Sequence, residues 1–127
     1  MLLKDLSQLF GVSGYETAVR QFILGHVTDY ADDTTVDALG NLIVFKKGCG
    51  ANKKRIMMAA HMDEIGLQIL KIDDRGIIKF VQLGTLFYHT TYMSRVKFRN
   101  GVTGIISNVA DVGDGGGMGK FNIEIGT

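Results

Sequence analysis

The sequence predicts an α/β chain in two parts: N-terminal helices on a small sheet over residues 1–66, then an antiparallel β-barrel-like module over 67–127. Three observations carry this expectation. Apolar residues recur at helical spacing up to Tyr30, the period shortens to that of strands from Thr34, and after Gly66 short strands alternate with tight turns.

The elements follow in order. Leu2, Leu3, Leu6, Leu9 and Phe10 define a short amphipathic helix that Gly11 ends. Ser13 and Glu16 have the spacing of a capping box, which predicts a second helix starting there. Tyr15, Ala18, Val19, Phe22, Ile23, Val27 and Tyr30 form its apolar face, and His26 lies on or beside that face as a packed or solvated residue. Residues 34–37 and 42–45 read as two strands joined at Leu39-Gly40-Asn41. The lysine-rich stretch 46–54 reads as a solvated loop, with Cys49 between two glycines and no neighbour that would activate its thiol.

Residues 56–60, Ile-Met-Met-Ala-Ala, read as a buried strand that runs into His61-Met62-Asp63-Glu64. The end of a strand holds side chains firmly while the next loop leaves them open, so this is where chemistry is expected. A histidine that ligates a metal through one ring nitrogen usually offers the other N–H to a carboxylate or carbonyl. The two-residue step from His61 to Asp63 suits that arrangement. Asp63 and Glu64 are adjacent, so on a strand they face opposite ways.

Beyond Gly66, residues 67–72 and 77–83 predict a hairpin around Asp73-Asp74-Arg75-Gly76. Residues 94–98 and 102–106 predict another around Asn100-Gly101. The aromatic run 87–92 reads as core or interface packing, with His89 as a possible further metal ligand. The glycine-rich stretch 111–120 fails as a phosphate loop, since Phe121 stands where a Ser/Thr would hold magnesium, and it reads as a linker before a last strand at 121–125.

Composition narrows the function classes. The 127 residues carry a net charge of +1, 46% hydrophobic and 21% charged residues, 17 glycines, no proline and a single cysteine. This is an ordinary globular balance that gives no electrostatic footprint for nucleic acid or an anionic membrane. No apolar run approaches the roughly 20 residues of a membrane span. The lone Cys49 excludes an internal disulfide, and an acidic residue at position 5 argues against a signal peptide, so a cytoplasmic location is expected.

Four segments in order, 11–16 (GVSGYE), 37–43 (DALGNLI), 59–66 (AAHMDEIG) and 121–126 (FNIEIG), give the chain a marked likeness. It resembles the N-terminal part of the M42 family of metallo-aminopeptidases, glutamyl-aminopeptidase-like enzymes whose relatives are sometimes labelled cellulases or endoglucanases. The resemblance implies a zinc-peptidase-like catalytic α/β domain into which a β-barrel dimerisation domain is inserted, and assembly into large hollow homo-oligomers. It implies two divalent metals, zinc or cobalt, acting on a peptide substrate, with His61 as a metal ligand and Asp63 as the acid that orients it. The family's other ligands and its general-base glutamate fall later in the family's chain than the segments matched here. A catalytic zinc needs about three protein ligands, so these residues alone are expected neither to retain the metal nor to hydrolyse peptides. The alternative is a non-catalytic, β-rich assembly module. Cellulase activity lacks support, because no carboxylate pair flanks a sugar-binding cleft.

Overall fold

The computed structural model describes residues 1–51, 54–74, 76–107 and 122–125, with the backbone alone for Tyr88, His89 and 122–125. The chain forms two compact units, Met1–Glu64 and Ile65–Thr127.

In the first unit, α1 spans Leu2–Leu6 and α2 spans Thr17–Val27, followed by a 3-10 turn at Thr28–Tyr30. Strands β1 (Asp33–Val36) and β2 (Leu42–Phe45) pair antiparallel, with Val36 opposite Leu42. Their turn is held by Asp37, whose carboxylate accepts from the backbone N–H of Leu39 and Asn41 and from the Asn41 amide. Gly40, at φ 88, supplies the left-handed residue that the tight turn requires. The Arg20 guanidinium donates to the Gly40 carbonyl at 3.0 Å and so ties α2 to this turn.

Several expectations change here. The helix α1 ends at Leu6 rather than at Gly11. No capping box forms: α2 begins at Thr17, and the Glu16 carboxylate accepts from the Gly14 N–H at 2.6 Å instead. Of the apolar face assigned to α2, Val19 is buried, whereas Tyr15 and Tyr30 lie outside the helix and are exposed. Residues 56–60 are not a strand, and Ile56, Met57 and Met58 are 84%, 91% and 92% exposed. The physical reason is pairing: a buried strand needs neighbours for its N–H and C=O groups, and no described residue provides a ladder there.

The second unit is an antiparallel sheet of β3 (Gly66–Ile72), β4 (Ile78–Leu83), β5 (Arg95–Lys97), β6 (Thr103–Ser107) and β7 (Asn122–Ile125). Its order is β3-β4-β7-β6-β5, so the last strand in sequence lies at the centre. Both expected hairpins form. Asp73 closes the first by accepting the Ile77 N–H on its side chain and the Gly76 N–H on its carbonyl, and Gly76 sits at φ 79. Gly101, at φ 90, turns the second, while the Asn100 side chain accepts the Val102 N–H. A short helix, α3 (Tyr88–Thr91), lies between them in sequence.

Strand alternation puts Ile78 and Ile106 in the core at 1% and 2% exposure, packed with Leu67, Phe80, Val96 and Phe98. The expected barrel is an open sheet among the described residues, because the outer strands β3 and β5 do not pair. Phe87 and Tyr92 are exposed rather than packed in this core. The glycine-rich stretch 111–120 lies outside the described residues.

Candidate metal-ligand site

The site is a loop-on-loop junction in the first unit. Glu64 donates its backbone N–H to the Gly11 carbonyl at 2.8 Å, and the Gly11 N–H donates to the Glu64 carboxylate at 3.2 Å. Val12 and Glu64 form a single parallel bridge beside these bonds. The two segments 11–13 and 62–64 are therefore pinned together without belonging to one sheet. Gly11 permits this closeness: a Cβ there would stand 2.7 Å from Cγ2 of Val19 on α2 and 3.5 Å from the Met62 carbonyl. Glu64 thus serves the backbone of the junction.

The junction presents His61, Asp63 and Ser13. His61 Nδ1 lies 2.9 Å from the Asp63 carbonyl oxygen and 3.2 Å from Asp63 Oδ1. Both neighbours are acceptors, so Nδ1 must carry the proton and donate. In the neutral ring the lone pair is then on Nε2. That nitrogen has no hydrogen-bond partner among the described residues, and the His61 side chain is 85% exposed. The other carboxylate oxygen of Asp63, Oδ2, accepts the Ser13 hydroxyl. The Asp63 carboxyl is held below its ordinary range, chiefly by the Ser13 hydroxyl bond; burial opposes this, and its own backbone N–H and His61 add to it.

The structure thus brings His61 and Asp63 together, both expected from sequence, and adds Ser13, which sequence spacing had assigned to a helix cap. His26 stays apart: its Nδ1 meets the Phe22 carbonyl at 2.8 Å and its ring lies 4.3 Å from that of Phe22. Cys49 is an exposed free thiol. The His89 side chain lies outside the described residues. Among the described residues, no three His, Cys, Asp or Glu groups gather closely enough to hold a metal ion. An imidazole with its lone pair on an exposed nitrogen has the chemistry of a single metal ligand.

The family model described as M42 glutamyl aminopeptidase matches residues 40–112 of the chain. The chain belongs to the M42 peptidase family. Among its relatives, an aminopeptidase-like protein of Acetivibrio thermocellus is 45% identical over 105 residues, covering 83% of this chain and 31% of that protein. The lysyl aminopeptidase of Pyrococcus furiosus is 35% identical over 112 residues, covering 83% of this chain and 32% of the enzyme. The chain therefore spans about a third of the length of these curated relatives.

Solved structures also match the chain. An aminopeptidase from the archaeon Desulfurococcus kamchatkensis superposes with a TM-score of 0.82 at 30% identity, over 99% of this chain and 37% of that one. The Pyrococcus horikoshii TET1 peptidase, which can assemble into a tetrahedron or a large octahedral shell, matches with a TM-score of 0.74 at 35% identity. That match covers 98% of this chain and 39% of the peptidase. Among the described residues of this chain, no helix is long and apolar enough to cross a membrane.

Proposed function

We propose that this chain contributes the N-terminal portion of an M42-type metal-dependent aminopeptidase that removes residues from the N-termini of peptides. In this reading residues 1–66 are part of the catalytic domain and 67–127 part of the dimerisation domain of a cytoplasmic homo-oligomer. His61 supplies one metal ligand through Nε2, and Asp63 is a positioning residue that fixes the ring by accepting at Nδ1. The observation that carries the reading is the pair of acceptors facing Nδ1, which leaves the outward nitrogen with the ligating lone pair. Bound zinc or cobalt would act as a Lewis acid on a peptide carbonyl and lower the pKa of water.

Among the described residues His61 is the one ligand assigned, where a paired site needs several, so the isolated chain is expected to show no amide hydrolysis and no stoichiometric zinc retention. The test is complementation with a polypeptide that carries the remaining ligands. Aminopeptidase activity and bound metal should both appear on mixing and both be lost with His61→Ala. Full activity in the His61→Ala complex would overturn the assignment. So would hydrolysis by the unsubstituted chain alone that is insensitive to a chelator.

A further inference from the structure

We propose that Ser13 is a positioning residue for this site, acting through Asp63 to hold His61 in the tautomer that leaves Nε2 free. The inference deepens the aminopeptidase reading and rests on it for the metal that His61 would bind.

The argument begins with the freedom of a carboxylate. Asp63 is 43% exposed in its side chain, and an exposed carboxylate samples more than one χ rotamer. If Asp63 turned, His61 Nδ1 would keep only the Asp63 carbonyl, at 2.9 Å, as acceptor, and its ring, 85% exposed, has little packing to stop it flipping. The Ser13 hydroxyl removes that freedom by donating to Oδ2 while Oδ1 faces His61 Nδ1. The two oxygens of one carboxylate are thereby assigned to two different donors. A hydroxyl suits this position because it donates without bringing charge, so the carboxylate keeps its full attraction for the imidazole N–H.

Ser13 is itself held. It follows Gly11, which exchanges two hydrogen bonds with Glu64, the residue after Asp63, and Val12, which forms the bridge opposite Glu64. Donor and acceptor therefore ride on the same pinned junction, and the chain Ser13–Asp63–His61 needs no other element to stay aligned. Partners behind a metal-ligating histidine typically control about 10–100-fold in metal affinity or activity. In a complemented enzyme, Ser13→Ala is expected to weaken zinc binding about tenfold, at the low end of that range, because Asp63 itself remains.

The test uses the chain itself, with imidazole nitrogen chemical shifts of His61 read by NMR above the imidazole titration. In the unsubstituted chain, His61 should be the Nδ1-protonated tautomer; a dominant Nε2-protonated form overturns the proposal without any variant. Ser13→Ala and Ser13→Cys should both move the two His61 nitrogen shifts toward those of a tautomer mixture, and Ser13→Thr, which retains the hydroxyl, should restore them. His26, bonded to the Phe22 carbonyl on α2, should keep its shifts throughout and reports that the fold is intact. Unchanged His61 shifts in the Ala and Cys variants would overturn the role. Adding zinc separates the two readings: if zinc leaves Nε2 of the unsubstituted chain unperturbed even with the complementing polypeptide, the metal assignment fails. The tautomer comparison then still decides whether Ser13 positions the ring.

Discussion

Three side chains and one missing Cβ build the junction that presents His61. Gly11 sits so close to α2 that an added methyl would stand 2.7 Å from Cγ2 of Val19. Forcing atoms into such a space typically costs about 1–3 kcal/mol. Gly11→Ala is therefore expected to destabilise the first unit by about that amount, measured by urea denaturation. Adding Val19→Ala opens the space, so the double variant should be less destabilised than the sum of the two single changes. An additive result would show that the close approach is harmless. This residue scale was the least legible in the sequence. His61 and Asp63 are two positions apart and announce each other, whereas the Ser13 hydroxyl bonds a carboxylate 50 residues away. Ser13 and Glu16 match a capping box locally, and only the folded junction reveals that both are committed to other partners.

Among the elements, those written in local turn chemistry were the readable ones. Asp37, Gly40 and Asn41 build the β1–β2 turn, Asp73 and Gly76 the next hairpin, and Asn100 and Gly101 the last, each by bonds within five positions. Asp37 also sets a pH dependence. Its carboxyl is held below the ordinary range, first by the Asn41 side chain and then by backbone N–H groups, with burial opposing. A carboxyl depressed by folding stabilises the native state above its unfolded value of about 3.9, and that contribution is lost as pH falls through the folded value. Asp32 and Asp63 are depressed too, so stability should decline on acidification through this range. Asp37→Ala should lower the melting temperature at neutral pH and flatten the acid limb; an acid limb of unchanged steepness would contradict the turn assignment. In the second unit, Ile106 is 2% exposed, and Ile106→Ala should cost about 2–5 kcal/mol by chemical denaturation.

At the scale of the whole molecule, the sequence misled where an apolar run had to be given a partner. Residues 56–60 have the composition of a buried strand, but composition records only that such a segment wants burial. In this chain Ile56, Met57 and Met58 stand almost wholly in solvent, and Ile43 and Phe45 of β2 are also half-exposed. A run of three consecutive exposed apolar side chains drives association or dye binding. Replacing Ile56, Met57 and Met58 with serine should reduce fluorescence of a hydrophobic dye and raise solubility while leaving the His61 nitrogen shifts in place. Dye binding unaffected by the triple change would place the sticky surface elsewhere. The open sheet is the counterpart in the second unit: turn signals foretold its hairpins, but nothing local distinguishes a strand that closes a barrel from one that ends a sheet.

The central place of β7 has a bearing on how the polypeptide is made. As the chain leaves the ribosome, the ribbons β3–β4 and β5–β6 emerge first, and each has one edge waiting for a strand translated later. Among the described residues neither ribbon hydrogen-bonds the other and residues 122–125 alone bridge them, so during synthesis of residues 65–107 the two ribbons share side-chain packing but no continuous ladder. Nascent chains stalled at Ser107 should remain protease-sensitive throughout that region, and those stalled beyond Thr127, with β7 outside the exit tunnel, should become resistant in a single step.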